Sequence, residues 1–220
     1  MTNVSRQPSF PPRPFKWSIL AALLFLGAWF LAIEVVDSVT RNRSDEPLVR
    51  SLVSIIHLVF ALPLLLFPPL QFSRRVRARW PIWHRRVGQV YLAAATVAAS
   101  AAIYLGATFE SVGRRPPLMI FASLWLAFSI AAWICARRRA FAAHERFVVR
   151  SYTIALAFAF VRTLGEFEGT VLAFIPDKDL SGVTREWLSF VVPLLVVECY
   201  YSWWPSVRST KFNDRSANAA

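Results

Sequence analysis

Six apolar stretches recur along the chain, covering Trp17–Val36, Ser51–Phe72, Gly88–Ala107, Pro116–Ala136, Phe147–Leu164 and Trp187–Trp204. Each is close to the ~20 residues that a helix needs to cross the hydrocarbon core of a bilayer. They are continuous apolar runs and lack the strict alternation of a half-buried strand. The pattern predicts an all-α, polytopic transmembrane bundle of six spans over 17–204, with polar tails at 1–16 and 205–220. The first stretch follows Arg6, Arg13 and Lys16, as the core of a signal peptide would. Its apolar part exceeds the ~7–15 residues of such a core, and no small-x-small cleavage site comes after it. Within the third stretch, Ala94, Ala98 and Ala102 recur every four residues, a spacing that lets backbones approach closely. That helix is expected near the centre of the bundle. Pro68 and Pro69 should end the second span, and Pro193 should disturb the sixth.

Composition strengthens this picture. Of 220 residues, 56% are hydrophobic and 17% charged, with a mean hydropathy of +0.44. A soluble domain carries about a quarter charged residues. A soluble enzyme, a secreted disulfide scaffold and a disordered tail are therefore excluded. The two cysteines, Cys135 and Cys199, stand near cytoplasmic helix ends and form no CxxC or zinc-like cluster.

Charge orients the chain. Of its 25 basic residues, 17 fall in the two tails, in the second connection, and in the fourth connection with the helix start after it, seven fall in the other three connections, and Arg162 lies deeper inside a span. The excess of Lys and Arg marks the cytoplasmic side, so both termini are expected there. The expected location is a membrane facing the cytoplasm. The net charge of +12 then reflects cytoplasmic Arg clusters that mark topology and touch anionic lipids, with no nucleic-acid partner implied. The longest outer connection, 165–186, carries five acidic residues and the apolar patch VLAFIP. It reads either as an interfacial or capping helix or as an ordinary connector.

Ionisable groups inside the spans are the candidate chemistry, because a charge at a helix centre costs about 2.5–3.5 kcal/mol on insertion scales. A rise of ~1.5 Å per residue places Glu34, His57 and Arg162 at one outer depth, where Glu166 can join them. His84, His144 and Arg150 share the cytoplasmic depth, and Glu198 lies closer to that side. His144 and Arg162 are about five turns apart on one face of the fifth span, with Ser151 and Ala155 near the same stripe. Each group also has a plainer reading. Arg162 and Glu166 can pair at i,i+4, and Glu34 can reach the headgroups. His57 can be a neutral core histidine bonded to a neighbouring carbonyl. His84 and His144 can be interfacial residues without a ligand.

Three short motifs carry a resemblance. His84-Arg85-Arg86-Val87-Gly88-Gln89-Val90-Tyr91 is similar to an HR-x-x-G-x-x-Y signature. His144 through Tyr152, followed by Arg162, is similar to H-x-x-x-M-x-R-S-Y with a later Arg. His57 with Phe67-Pro68-Pro69-Leu70-Gln71-Phe72 resembles an early His and a G-P-x-Q-F-like end. In this order they resemble the bacterial membrane family called domain of unknown function 2306, over about 50–165 and the last helix. Val148 stands where that family usually has Met, and Phe67 where Gly is common. The resemblance implies a membrane location and draws attention to three histidines. It implies no activity.

Three functional readings remain open. A redox membrane protein would ligate haem b through His84 and His144, with Arg150, Arg85 or Arg86 on the propionates, or would hold a quinone head group there. With three histidines in all, a two-haem site with four His ligands is excluded. A small proton-coupled transporter would use Glu34, His57 and Arg162 outside and His144 and Glu198 inside. An accessory subunit would use its histidines only to lock helices, in a homodimer or a larger membrane complex. Beside these three, a membrane enzyme using His57 as an acid–base group stays open, although no nucleophile–base pair, phosphate loop or HExxH motif marks one.

Overall fold

A computed structural model describes residues 46–66, 68–204 and 206–207, together with Phe25 and residues 27–30, 32, 33 and 36. Every regular element among the described residues is helical. The long helices are α1 (Leu48–Leu66), α4 (Pro81–Phe109), α5 (Arg115–Arg137), α6 (Phe141–Glu166) and α8 (Lys178–Glu198). Short helices α2 (Pro68–Gln71), α3 (Arg74–Arg79) and α7 (Glu168–Val171) lie between them, and a π-helix, Cys199–Trp203, continues α8. Among the described residues, five helices are long and apolar enough to cross a membrane: α1, α4, α5, α6, and α8 with its π-helical end. These correspond to the second to sixth predicted spans. Most of the first predicted span, its Glu34, and nearly all of both tails lie outside the described residues. The residues of that span that are described are helical.

Two boundaries differ from the apolar pattern for a shared reason. α4 starts at Pro81 and α8 at Lys178, each about two turns before the apolar run. The extra turns are polar but well started. Pro81 occupies the first helical turn, where its missing N–H has no bond to lose. The Asp177 side chain accepts from the Leu180 N–H at 2.8 Å, capping α8. The second span ends at Leu66, and a new helix begins at Pro68, as its prolines require. α8 runs through Pro193 and then loosens into the π-helix.

The three-residue turn 138–140 joins α5 to α6. Arg139 sits there at φ 59. The Ala140 N–H donates to the Cys135 carbonyl at 2.9 Å and the Arg139 N–H to the Ala136 carbonyl at 3.1 Å. This is the paired bonding of a Schellman stop, with arginine in the left-handed position that glycine usually takes.

Packing follows from small residues. α4 lies between α1 and α5, while α6 packs on α5, α8 and α1. Ala95, Ala98 and Ala99 are wholly buried, and Ala94 and Ala102 nearly so. At Gly106 an added Cβ would sit 3.3 Å from the Leu118 Cβ, so α4 and α5 are in close backbone contact there. In lipid, such close fit and interhelical hydrogen bonds drive association more than apolar burial does. Large rings fill the wider gaps, with Phe121 stacked on Phe190 at 4.5 Å and Trp125 tilted against Phe158 at 5.6 Å.

The antiparallel helices create two ends. The start of α1, the α4–α5 connection, the end of α6, α7 and the start of α8 share one. The other, arginine-rich end holds α2, α3, the start of α4, the α5–α6 turn and the π-helix.

Candidate functional site

At the first of these ends a cavity of about 660 Å³ enters the bundle. Helical spacing builds its walls. Arg50, Ser54, His57, Ala61 and Leu65 follow one face of α1. Ala155, Phe158, Ala159, Arg162 and Glu166 follow one face of α6. Ala102, Gly106 and Phe109 come from α4, Trp125 from α5, and Arg185 and Glu186 from α8. The chamber exists because the alanine and glycine faces of α4 and α6 leave space that larger side chains would fill.

His57 lies in its inner part. Its Nδ1 is 2.9 Å from the Ala98 carbonyl oxygen. A carbonyl only accepts, so Nδ1 carries the proton and donates, and Nε2 of the neutral ring is an acceptor. Trp125 and Phe158 meet the imidazole edge-on, with centroids 6.5 and 6.2 Å away. The bond joins α1 to α4 at a point where Ala98 is wholly buried and His57 half-buried.

The rim is charged. Arg50 pairs with Glu46 at 3.6 Å, and Arg114 with Glu110 at 3.4 Å, both at i,i+4. Arg114 also donates through Nε to Oε1 of Glu186, whose side chain is 0% exposed. Arg185 pairs with Glu168 of α7. Burial works against the charge of Arg114. The Glu186 hydrogen bond and the negative charges of Glu186, Glu110 and Glu168 more than offset it, so its pKa lies above the ordinary arginine value. The second carboxylate oxygen of Glu186 is buried without a hydrogen bond, as are Oγ of Ser189 one turn on and Nε1 of Trp125.

Below the chamber a hydroxyl seam crosses three helices. Ser129 donates to the Trp125 carbonyl at 2.8 Å, and its Oγ is 2.9 Å from that of Ser151. Ser129 has spent its one proton on the carbonyl, so Ser151 donates to it, and Tyr91 donates to Ser151 at 3.4 Å. Tyr152 donates to the Leu65 carbonyl at 3.1 Å. These bonds tie α4, α5 and α6 together, and α6 to α1.

The arginine-rich end holds the other candidates. The Nδ1–H of His144 donates to the Ala132 carbonyl at 2.9 Å, leaving Nε2 as acceptor. His84 lies close enough to His144 for their charges to interact, and its Nδ1 is buried without a partner. The side-chain amide of Gln71 is likewise buried with neither atom bonded. Arg150 is engaged by Glu198 in a two-point pair, Nε to Oε1 at 2.5 Å and Nη2 to Oε2 at 2.9 Å. Ser202 donates to the same Oε2 at 2.9 Å.

The structure therefore brings His57, Arg162 and Glu166 to one chamber and keeps His84, His144 and Arg150 at the far end. Glu34 lies outside the described residues. Sequence reasoning passed over Glu186, Arg114, Glu110, Arg50 and Glu46, counting the arginines only for topology. Two signals were legible: the i,i+4 spacing of Glu46 with Arg50 and Glu110 with Arg114, and the Asp177 cap that carries α8 back past Glu186. Among the described residues, no three His, Cys, Asp or Glu side chains are grouped to hold a metal ion.

Comparison with known proteins adds one finding. No curated protein and no solved structure matches the chain. Residues 54–201 match the family described as predicted membrane protein (DUF2306).

Proposed function

On the premise that this chain belongs to the DUF2306 family of predicted membrane proteins, we propose that it is a small, proton-coupled carrier of the bacterial inner membrane, with six spans and both termini in the cytoplasm. The arginine-rich end faces the cytoplasm and its anionic lipids, so the chamber opens outward. One observation carries the reading: a 660 Å³ cavity reaches from a charged rim to a neutral imidazole walled by aromatic rings. Solute sites in membrane proteins collect ionisable groups of this kind around an internal cavity. The rim pairs can exchange partners with a polar or charged solute, while Nε2 of His57 accepts one hydrogen bond from it.

The test is uptake by membrane vesicles under an imposed pH gradient, with radiolabelled amino acids, organic amines and sugars as probes. At least one class should accumulate in a gradient-dependent way, and His57→Ala should reduce that uptake about tenfold, the equivalent of ~1.4 kcal/mol. Folded protein that moves none of the probes would overturn the carrier reading.

A second reading has its own support at the arginine-rich end. His144 is held by Nδ1 with Nε2 left as an acceptor, the arrangement that orients imidazole ligands. His84 and Gln71, at the same end of the bundle, keep unbonded polar atoms. These groups suit haem b ligation or a quinone head group. Oxidised and dithionite-reduced visible spectra, after expression with added haem, decide the haem form. Sharp reduced bands lost in His144→Ala support it, and a flat spectrum removes it.

A further inference from the structure

We infer that Glu186 is the proton-binding carboxylate of the chamber, holding the exchangeable proton on Oε2 while Arg114 divides its charge between Glu186 and Glu110. Coupling of this proton to solute movement rests on the carrier function, whereas proton binding rests on the geometry alone.

Charge around Arg114 is unbalanced. Arg114 is one cation facing two carboxylates, Glu110 at 3.4 Å and Glu186 at hydrogen-bond contact. Two acids on one arginine leave one negative charge unmatched, and like charges that share a site favour protonation of one partner. Glu110 keeps 26% of its side chain exposed and Glu186 none. Water therefore screens the charge of Glu110 and leaves Glu186 as the acid that gains from a proton.

One oxygen of Glu186 is orphaned. Oε1 of Glu186 is taken by Arg114, and Oε2 has no hydrogen bond. The other charged groups do not fill the gap. Arg185, the neighbour on α8, is turned to Glu168 of α7. Arg162 and Glu166 of α6 and the Glu46–Arg50 pair line the same chamber, and the α5 residues that do, Leu118 and Trp125, are uncharged. An uncompensated buried carboxylate oxygen is costly, and a proton removes most of that cost.

The donor set suits a proton. A sodium or divalent cation needs six or so oxygen ligands. Here one oxygen belongs to a guanidinium, and no group of three acidic or imidazole side chains forms among the described residues. A proton needs only one lone pair. The step is balanced: the Glu186 carboxylate takes H⁺ at Oε2 and becomes a neutral acid, and Arg114 is left to Glu110. Release reverses it. His57 serves this role less well, because its Nδ1–H is held by the Ala98 carbonyl and Trp125 and Phe158 close on its ring.

The test is an infrared pH titration of the full-length protein in mild detergent, following the C=O stretch of protonated carboxyl groups. One component of the wild-type titration should vanish in Glu186→Gln. In Glu110→Gln, which leaves Arg114 wholly to Glu186, that component should move to lower pH by about one unit. The second variant sits on the rim and reads the proposal even if Glu186→Gln fails to fold. A spectrum unchanged in Glu186→Gln, or a component unmoved in Glu110→Gln, overturns the inference. Uptake that is absent while the component behaves as expected supports the proton site and removes the carrier. Gradient-driven uptake that survives Glu186→Gln overturns the coupling role.

Discussion

His57 and His144 make the same bond in two different settings. Each donates from Nδ1 to the carbonyl of a fully buried alanine on the neighbouring helix at 2.9 Å, Ala98 for one and Ala132 for the other. At the chamber end the bond fixes a ring beside a cavity whose rim carries pairs that can be rearranged. At the arginine-rich end it fixes a ring on the helix that carries Arg150, which Glu198 holds by two bonds while Ser202 donates to the same carboxylate. A histidine staple is thus a packing device in both places, and its surroundings decide whether it can also meet a ligand.

The largest expected effect is at the rim. Arg114→Ala leaves Glu186 buried without a counter-charge, and the folded state should lose about 2–3 kcal/mol, somewhat less than for a fully enclosed pair because Arg114 is 34% exposed. Thermal unfolding in detergent measures it. Arg150→Ala strands Glu198, which is 32% exposed and can be solvated, so its loss should be smaller. If the two variants melt alike, the contrast between a chamber carboxylate and a staple carboxylate fails.

The next effect compares the two staples directly. His57→Ala and His144→Ala should each cost about 1 kcal/mol for the lost bond. The His57 variant should lose somewhat more, because its ring is packed between Trp125 and Phe158. Only His57→Ala should change uptake in vesicles. Equal effects of the two on uptake would erase the distinction between the ends.

The smallest effect concerns the turn that sets α5 against α6. Arg139→Gly relieves a left-handed arginine but adds freedom to the unfolded chain, so the net change should stay within about 1 kcal/mol. A large loss in the melting temperature would show that the Arg139 side chain, rather than its backbone, holds the turn.

What the sequence by itself determined is the kind of molecule. Apolar runs of helical length, the alanine spacing of α4 and the prolines at 68 and 69 all act through local backbone chemistry, and five of the predicted spans meet helices able to cross a membrane. The depths of His57 and Arg162 were also legible, because a helix has a constant rise, and both line one chamber. Helix starts were misjudged where the first turns are polar, as at Lys178, since hydropathy measures lipid contact and a cap is a single hydrogen bond. Only the tertiary structure decided the partners. Glu186 and Arg114 are 72 residues apart, and no periodicity ties the connection after α4 to the third turn of α8. The same holds for Arg150 with Glu198 and for each histidine with its alanine carbonyl. Rise and hydropathy are properties of one helix, whereas a hydrogen bond between helices depends on how each is rotated and how closely they approach, and the small residues packed between them set both.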